Sequence, residues 1–502
     1  MNVGNLGQLS DIKLTKQQKR DKRRADQVQK GLREAKVSKK RRRLLVERQE
    51  KVKSQQQHTR GDSSTTVLPR GIPVDWNVPK RRLMTKLDEH FTGVLEMSYK
   101  GLQIDKPEVF DTVFHENMQK VLTELTYDFD VVQPLGLNTP LARTMVKRVL
   151  LGAEGMTYRY LGVRMFSIPF GKELKMCNTC LTKRTRELMN SEKGEEYNVV
   201  LVNQCLPPSE EVKLKFEPTF KDQKVPQSIS WHADSMLKHF SSIACYHWQP
   251  KEDEGDEPWR IGLRVEPHSE GPTKNQKGFG SSEAADGGVA KGEKKAPPVC
   301  VELPNGGVYY LLGEMNHHHQ HAVFAGSGLR YSSTHRVGRE GHSFAFIRNK
   351  VVKVLNAKAD SVKTVRNLLV TYRELEFEWL RQWYFQGAAH RDNHTWWHKP
   401  MDELLSLWYK LGQRVQGILK RLESQEGRKG GAFDSAFHAE VEAGLEQAQK
   451  MREGWTHREH DPLISRLDEE HKPLAFPAVP TNEKEAIAKV AKWKEAIVTN
   501  FS

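Results

Sequence analysis

The chain has 502 residues, of which 37% are hydrophobic and 28% charged, and this length exceeds what one ordinary domain core accommodates. No apolar run approaches the roughly 20 residues that a membrane-spanning helix needs, and the N-terminus lacks the apolar stretch of a secretory signal. We therefore expect two or three domains and no membrane partner. The five cysteines, an odd number, favour a reducing compartment.

The net charge of +15 is concentrated at the start of the chain. Residues 1–60 contain 19 Lys and Arg against 6 Asp and Glu, whereas the rest of the chain contains 60 against 58. Residues 1–78 have no sustained apolar face, so we predict a basic, disordered tail. Its densest cluster, Lys39–Arg43, is a candidate nuclear import signal or phosphate-binding site. The predicted location is the nucleus, with shuttling to the cytoplasm as a second option.

Short segments typical of buried strands follow from residue 197 onward. Pro304–Gly307 predicts a hairpin turn, because its Asn-Gly step tolerates positive φ, and Val308–Leu312 is the returning strand. Several short strands joined by turns predict an α+β fold with a double-stranded β-helix (jelly-roll) catalytic domain at 79–350. The other strand-like segments are 197–203, 242–248, 259–265 and 299–303.

Two further segments have a different character. Residues 250–298 turn from acidic to Gly-, Lys- and Ala-rich, and apart from 259–265 they offer little to a core, so we predict a disordered insertion. From about residue 355 apolar residues recur every three or four positions, which predicts a C-terminal α-helical bundle at 351–502. The apolar stripes run from Leu404 to Leu422, from Phe437 to Trp455 and from Ile487 to Ile497.

The strongest chemical signal is the sequence from Trp231 to Asp234. On an extended strand, the side chains of His232 and Asp234 point to the same side. Two imidazoles and one carboxylate bind Fe(II) and leave three positions open, enough for a chelating 2-oxo acid and dioxygen. The second imidazole should come from a later strand. Its candidates are His317, His318, His319 and His321.

The spacing to an anion clamp helps to select among these histidines. The far carboxylate of an iron-bound 2-oxo acid suits arginine, whose planar fork donates two charge-assisted hydrogen bonds. Arg330 follows His321 by nine residues, and Ser332 and Arg336 share its face of a predicted strand. We interpret these four residues as a metal ligand followed by an anion clamp. A single histidine of this kind is more often a core or surface residue, so only the whole series of residues indicates a metal site.

The predicted metal and clamp residues, with their neighbours in sequence, resemble a known family. Ser230–Asp234, His319–His321 and Arg330–Val337 resemble the AlkB-type Fe(II)/2-oxoglutarate-dependent nucleic-acid demethylases, and most closely the fat mass and obesity-associated (FTO) family. Arg148–Leu161 resembles the nucleobase-binding segment of that family, and Glu376–Trp397 resembles the start of its C-terminal helical domain. The resemblance runs patchily along the chain after the basic tail and leaves out the insertion.

The resemblance implies oxidative removal of N-methyl groups from N6-methyladenosine or 3-methyluridine or -thymidine in single-stranded RNA or DNA, with release of formaldehyde, succinate and carbon dioxide. It implies Fe(II), 2-oxoglutarate and dioxygen, with ascorbate as reductant. His232, Asp234 and His321 would hold the iron, and Asn203 and Tyr309 would join the 2-oxoglutarate clamp. The residues implied for the base and its strand are Arg148, Tyr158, Tyr160, Leu161, Lys215, Ile229, Trp231 and Ser235.

Ser235 departs from the family pattern, which has an acidic residue after the metal-binding aspartate, so the preferred base stays open. Two other functions also stay open: a 2-oxoglutarate-dependent hydroxylase of a protein substrate, and a non-catalytic nuclear RNA-binding protein. Arg148 and Tyr158–Leu161 argue against the first, because they suit a flat base better than a peptide. The complete ligand and clamp series argues against the second. The oligomeric state is not set by these patterns.

Overall fold

A computed structural model describes residues 82–134, 136, 139–191, 196–209, 213–253, 255–265, 296–424, 435–480, 487, 488 and 490. The predicted basic tail, residues 266–295 of the predicted insertion and most of the third helical stripe lie outside the described residues. Across the described ranges, no helix combines the length and the apolar character that crossing a membrane requires.

The strands form two large antiparallel sheets and one hairpin. They are β1 Leu102–Asp105, β2 Asp128–Val132, β3 Ala142–Gly152, β4 Thr157–Tyr160, β5 Val163–Phe166, β6 Ile168–Pro169, β7 Val199–Cys205, β8 Lys215–Pro218, β9 Lys224–His232, β10 Ile243–Trp248, β11 Arg260–Val265, β12 Val299–Glu302, β13 Val308–Leu311, β14 His319–Phe324 and β15 Arg330–Arg336. The larger sheet has the order β1-β13-β10-β15-β7-β3-β2, with β6 parallel to β3, and the smaller sheet has the order β12-β11-β14-β9-β8. Strands β4 and β5 pair only with each other.

Helices flank these sheets and form the C-terminal part of the chain. They are α1 Phe91–Ser98, α2 Thr112–Glu124, α3 Lys172–Leu188, α4 Met315–His318, α5 Phe344–Asn356, α6 Val362–Leu375, α7 Arg381–Phe385, α8 Gly387–Asn393, α9 His398–Ser424 and α10 Ser435–Glu459. A π-helical segment, Glu376–Leu380, joins α6 to α7.

The side chains of the larger sheet alternate between two apolar layers, as a period of two requires. On β7, Val199 and Leu201 pack with the smaller sheet in one core, whereas Val200 and Val202 pack with α2 and α3 in another. The smaller sheet contributes the fully buried Ile261 to the first core. The two sheets therefore face each other as a β-sandwich with helices on its outer side, which confirms the predicted jelly-roll class.

The strand-like segment 259–265, inside the bounds of the predicted insertion, forms strand β11. This strand is central in the smaller sheet and pairs with β12 on one side and β14 on the other. Ile261 and Leu263 are completely buried there. The strand predicted at this segment is therefore confirmed.

The C-terminal helices bury the apolar stripes that the sequence shows. Leu404, Trp408 and Leu411 of α9 pack with α5, α6 and α10 in one core. Ser361 caps α6 in a reciprocal capping box with Thr364, which satisfies backbone groups that the first turn leaves unpaired. Helical structure already begins at α5, earlier than the pattern near residue 355 indicates. The helical region of the predicted fold is confirmed.

The helical region contacts the β4–β5 hairpin directly. Arg159 of β4 forms an ion pair with Glu378 at 2.7 Å, and Arg458 of α10 donates a hydrogen bond to the carbonyl oxygen of Gly162 at 3.1 Å. Gly162 has a φ of +83°, and a Cβ atom there would lie 2.7 Å from the carbonyl oxygen of Gln133. Glycine is therefore required at the turn of this hairpin.

Candidate active site

Three predicted ligands converge between the two sheets. His232 ends β9 and lies directly opposite His321 of β14 in the strand register, and their ring centroids are 4.2 Å apart. Nε2 of His232 lies 3.7 Å from Oδ1 of Asp234. One ligand atom from each residue lies within 4.8 Å of the others, and among the described residues no other set of His, Cys, Asp or Glu meets this criterion. Such a set suits Fe(II).

The backbone around Asp234 differs from the expected extended strand. Strand β9 ends at His232, and Asp234 lies in the following coil. The side chain of Asn316 holds this coil, because its oxygen accepts from the backbone N–H of Asp234 and its nitrogen donates to the backbone oxygen of Asp234, each at 2.8 Å. Nδ1 of His232 lies 2.7 Å from the carbonyl oxygen of Ser230. We infer that Nδ1 carries the proton, which leaves Nε2 free as a ligand.

The charge state of the three ligands also suits a divalent cation. Burial alone would raise the pKa of Asp234, but the adjacent Arg336 and the two histidines lower it to about 2. Nε and Nη2 of Arg336 lie 2.7 and 3.0 Å from the carboxylate oxygens. Burial, together with the neighbouring His232, lowers the pKa of His321 to about 3. The site therefore presents neutral imidazoles and an ionised carboxylate at neutral pH.

The other candidate histidines lie elsewhere. His317 and His318 belong to the short helix α4, before β14 begins. His319 is buried against a different part of the chain, where its ring nitrogens lie 3.0 Å from the carbonyl oxygen of Ser98 and 3.3 Å from that of Met315. His321 is the member of the run that meets His232 and Asp234.

The predicted anion clamp is buried beside this triad on β15. Nη1 of Arg330 donates to Oγ of Ser332 at 3.2 Å, and Nε of Arg330 donates to Nδ1 of His247 at 3.0 Å. Nη2 of Arg330 and Nη1 of Arg336 have no hydrogen-bond partner among the described residues, although both are buried. A buried, unpaired guanidinium nitrogen is costly, so these two atoms fit the carboxylates of a bound 2-oxo acid.

Asn203 and Tyr309 lie on strands next to this clamp. Asn203 of β7 is directly opposite Ser332 on one side and Arg148 on the other. Tyr309 of β13 is opposite Cys245 of β10. Burial raises the pKa of Tyr309 well above its ordinary value, with Arg330 acting in the opposite direction, so its hydroxyl stays protonated as a hydrogen-bond donor.

Sequence reasoning missed His247, which supports Arg330. Burial, and then the charge of Arg330, hold the pKa of His247 well below its ordinary value. Its imidazole is therefore neutral and accepts the Nε–H of Arg330 at Nδ1. The available signal was strand periodicity, because on β10 His247 alternates with Tyr246 and Trp248 and shares the inner face with Cys245.

The predicted base-binding residues come from β3 and the β4–β5 hairpin. The guanidinium carbon of Arg148 lies 4.2 Å from the ring centroid of Tyr160. Nε of Arg148 lies 3.3 Å from Oδ2 of Asp130 on β2, an ion pair that the sequence did not reveal. Burial raises the pKa of Asp130 to about 6, with Arg148 acting in the opposite direction. Arg148 and Tyr160 thus form a flat, cationic wall that Asp130 holds from one side.

Tyr158, Leu161 and Ser235 complete the neighbourhood of this wall. Tyr158 is buried, and the Arg336 guanidinium carbon lies 5.3 Å from its ring centroid. Burial first, and then Asp234, raise the pKa of Tyr158, whereas Arg336 and a hydrogen bond with Ser235 lower it. Leu161 is 44% exposed at the hairpin turn, with a φ of +41°. Ser235 and Tyr158 therefore connect the metal site to the base-binding wall.

Three other predicted substrate residues lie on strands β8 and β9 of the smaller sheet. Trp231 packs against Phe324 with ring centroids 5.9 Å apart, in a cluster on the other face of β9 from His232, so its side chain does not enter the site. A register shift in β9 brings Ile229 opposite Val323. Lys215 is exposed on β8, the edge strand of the smaller sheet.

Two family models match the chain, one over its sheet-containing part and one over its C-terminal helices. The family model of the FTO catalytic domain matches residues 89–193 and 175–339. The family model of the FTO C-terminal domain matches residues 345–487. The first match contains every predicted iron and clamp residue, and the second contains the described C-terminal helices except the first residue of α5.

Individual proteins add further similarity. The α-ketoglutarate-dependent dioxygenase FTO of Xenopus laevis is 25% identical over 487 residues, which span 80% of this chain and 91% of that protein. A 2OG-Fe(II) oxygenase family oxidoreductase from Burkholderia pseudomallei has 12% identity and a TM-score of 0.29, over 52% of this chain and 97% of its own. A Trichoplax adhaerens prolyl hydroxylase, in complex with a peptide of hypoxia inducible factor, has 13% identity and a TM-score of 0.27, over 51% and 91%. On the evidence of the two family matches, the chain belongs to the FTO family of 2-oxoglutarate-dependent dioxygenases.

Proposed function

We propose that this protein removes N-methyl groups from nucleobases in single-stranded RNA or DNA, with N6-methyladenosine and 3-methyluridine or 3-methylthymidine as candidate substrates. The observation that carries the proposal is a triad of two histidines and one aspartate, of which His321 and Asp234 are buried, next to the unpaired Nη2 of Arg330. When bound, Fe(II) and 2-oxoglutarate supply the oxidation by dioxygen that releases the methyl carbon as formaldehyde, with succinate and carbon dioxide as co-products.

The residues of the chain have separate tasks in this reaction. His232, Asp234 and His321 hold the metal. Arg330 binds the far carboxylate of 2-oxoglutarate through its unpaired nitrogen. Arg336 keeps Asp234 ionised and fixes the orientation of its carboxylate through two hydrogen bonds. Asn203, Tyr309 and Ser332 add polar contacts around the same co-substrate.

The base is oriented by the wall described above. Arg148 donates hydrogen bonds to the edge of the methylated base, and Tyr160 and Leu161 contact its faces. Stacking of a base on an aromatic ring contributes roughly 1–3 kcal/mol, and it tolerates different bases. Ser235, held by Tyr158, provides a hydroxyl that both donates and accepts. Such a group discriminates less strongly among bases than a carboxylate does.

The strand itself would pass the edge of the smaller sheet, where the exposed Lys215 can contact phosphate. A nuclear site of action is part of the proposal. It is supported by the cluster Lys39–Arg43, which lies outside the described residues.

A nucleoside assay by mass spectrometry tests the proposal. The protein is incubated with Fe(II), 2-oxoglutarate, ascorbate and single-stranded RNA that carries N6-methyladenosine or 3-methyluridine, beside a His232→Ala variant. We expect loss of methyl groups that requires 2-oxoglutarate, yields equimolar succinate and is absent in the variant. The matched control is His318→Ala, because His318 lies in α4 outside the triad.

The outcomes separate the alternatives. Demethylation of one base in preference to the other would establish what Ser235 selects. Consumption of 2-oxoglutarate without change in either base would contradict the proposed substrate and favour a hydroxylase of another molecule. Absence of consumption in the wild-type protein would contradict the enzymatic function altogether.

A further inference from the structure

An exposed group of aromatic and basic side chains lies beside the iron site and has no part in the proposed chemistry. We call it the aromatic platform. Its members are Lys238, His239, Phe240, His317 and Arg339. Together with Asp234 they line a shallow surface recess. The platform therefore begins at a metal ligand and extends outward to the protein surface.

The rings of the platform support one another and still leave one aromatic face accessible. The centroids of His239 and Phe240 are 3.8 Å apart. His317 meets Phe240 edge-on, at 5.3 Å and 80°. Phe240 is nevertheless 46% exposed. A half-exposed phenyl ring that two imidazoles hold in place is suited to stacking against a nucleobase.

The backbone holds Phe240 in a disfavoured conformation. Its φ is +58°, a region that bulky residues rarely adopt and that glycine or asparagine tolerates better. Met236, at the start of the same segment, has a φ of +61°. Backbone strain of this kind concentrates at binding sites, where the surrounding structure holds it in place. Strain at an exposed aromatic residue therefore points to a role for the ring.

The segment is fastened to the chain that follows β15. The backbone N–H of Lys238 donates to the carbonyl oxygen of Val337 at 2.8 Å, and that of Arg339 donates to the carbonyl oxygen of Met236 at 3.1 Å. Nε of Arg339 donates to the carbonyl oxygen of Leu237 at 2.7 Å. The platform segment is thus attached to the chain that directly follows the strand with the anion clamp.

Charge and distance indicate which partner fits the platform. Lys238 and Arg339 are exposed cations at its two edges, and phosphates are the natural counter-ions of such a pair around a stacked base. Phe240 lies five positions after Ser235, so their Cα atoms lie within roughly 18 Å of each other. A strand whose target base reaches Ser235 can therefore reach Phe240 with a nearby nucleotide.

We propose that the aromatic platform stacks the base of a nucleotide that flanks the target in a single strand, while Lys238 and Arg339 neutralise the adjoining phosphates. This inference rests on the proposed function, because it requires a nucleic-acid strand at the iron site. Its consequence is a preference for strands over free nucleosides, produced outside the base pocket.

The test uses Phe240→Asn, because asparagine tolerates the positive φ and removes the ring. Binding of a short single-stranded RNA with one N6-methyladenosine is followed by fluorescence anisotropy in oxygen-free buffer with Fe(II) and 2-oxoglutarate. We expect binding about 5- to 100-fold weaker, the range that the loss of one base–aromatic stack produces. Phe240→Trp should bind as the wild type does. Phe346→Ala is the control, because Phe346 on α5 is 42% exposed and lies outside the platform.

A second arm measures the phosphate contact. Lys238→Gln should reduce the slope of log affinity against log salt concentration by about 0.7, the value for one phosphate of a single strand. Lys353→Gln on α5 should leave the slope unchanged. Demethylation of the free methylated nucleoside should be equal in Phe240→Asn and the wild type, because the platform contacts only the flanking nucleotide.

Equal RNA affinity of Phe240→Asn and the wild type would overturn the proposal while leaving the demethylase function intact. An equal loss of activity on the strand and on the free nucleoside would also overturn it, since the ring would then support the base pocket or the fold. If the wild-type protein binds no single strand at all, the proposed function fails first, and the platform would be assigned to a protein partner.

Discussion

The iron half and the base half of the site are built in different ways. The iron half consists of side chains on β9, β14 and β15 and of Asp234 in the coil after β9, and these strands pair with neighbours in the two large sheets. The base half depends on the β4–β5 hairpin, which pairs only with itself. A two-stranded hairpin is marginally stable alone, and here helical residues hold it through Glu378 and Arg458.

Because of this difference, the two tasks of the proposed site, 2-oxoglutarate oxidation and base orientation, should be open to separate disruption. In the proposed reaction, oxidation of 2-oxoglutarate would require the sandwich, whereas orientation of the base would also require the helical region. Damage to the iron half should therefore abolish every turnover. Damage to the contacts of the hairpin should leave 2-oxoglutarate oxidation in place and uncouple it from demethylation.

The largest effect is expected for Arg330→Ala. The substitution removes the guanidinium that would bind the far carboxylate of 2-oxoglutarate. Nδ1 of His247 also loses the hydrogen bond that Nε of Arg330 donates. The loss of a buried, charge-assisted pair costs about 3–5 kcal/mol, so we expect kcat/KM for 2-oxoglutarate to fall by roughly 150- to 5,000-fold. Initial rates of succinate formation at varied 2-oxoglutarate measure this.

Arg330→Lys serves as the comparison, because it keeps the charge but lacks the planar fork. It should recover only part of the affinity. Wild-type kinetics in Arg330→Ala would show that this residue does not bind 2-oxoglutarate.

A smaller and more selective effect is expected for Glu378→Gln. Its carboxylate pairs with Arg159 at 2.7 Å and lies 3.8 Å from Arg164. Neutralising it removes the negative charge that Glu378 supplies to these two arginines of the hairpin. We expect about a tenfold loss of kcat/KM for the methylated strand and an unchanged KM for 2-oxoglutarate.

Glu403→Gln is the matched control for this variant. Glu403 pairs with Arg348 at 2.6 Å in the helical region, but both side chains are more than a third exposed. Exposed ion pairs contribute about 0–1 kcal/mol, so neither kinetics nor melting temperature should change much. An equal effect of both variants would mean that Glu378 has no special role at the hairpin.

The smallest effect is expected for Asp130→Asn, together with a pH dependence. The carboxylate of Asp130 pairs with Arg148 only when ionised, and burial raises its pKa to about 6. Wild-type KM for the methylated base should therefore rise as the pH falls below 6. Asp130→Asn should show a KM about two- to fivefold higher at pH 7.5, with this pH dependence absent, because it removes one ion pair whose two contacting atoms do not form a hydrogen bond.

The ionisation of Asp130 should affect protein stability in the opposite direction to base binding. A higher pH should improve base binding but lower the free energy of unfolding. The folded-state pKa of about 6 lies above the roughly 3.9 of an unfolded chain. The contribution of Asp130 to stability is thus complete below the unfolded pKa and is lost as the pH rises through 6. Removal of the ionisable group should make Asp130→Asn more stable than the wild type at pH 7.5. A melting curve in which the variant is less stable would contradict this reading of its burial.

The residues of the anion clamp could be predicted from the sequence because they lie on one strand. Arg330, Ser332 and Arg336 lie on β15 at even spacing, so a period of two was enough to place them on one face. His321 lies directly opposite His232, an arrangement that the order of motifs suggested but could not specify. The segments of strand character agree with the observed strands to within about two residues at each end.

The parts that could not be predicted depend on pairings between distant strands. His247 meets Arg330 because β10 lies beside β15, although 83 residues separate them in sequence. Asp130 meets Arg148 because β2 pairs with β3 across a register shift. Strand periodicity can place such a polar residue on an inner face, but it cannot identify the partner on another strand. Trp231 shows that a place next to a site residue in the sequence is not sufficient. Its neighbour His232 is a metal-ligand candidate, but the Trp231 side chain packs on the other face of β9.

The most direct test of the two-part account is the ratio of methyl groups removed to 2-oxoglutarate consumed, measured in one reaction by mass spectrometry. The account predicts a ratio close to one for the wild-type protein, loss of both products in Arg330→Ala, and a clearly lower ratio in Glu378→Gln with consumption of 2-oxoglutarate retained. If Glu378→Gln loses both activities in the same proportion, the base half and the iron half are not separate, and the account is contradicted.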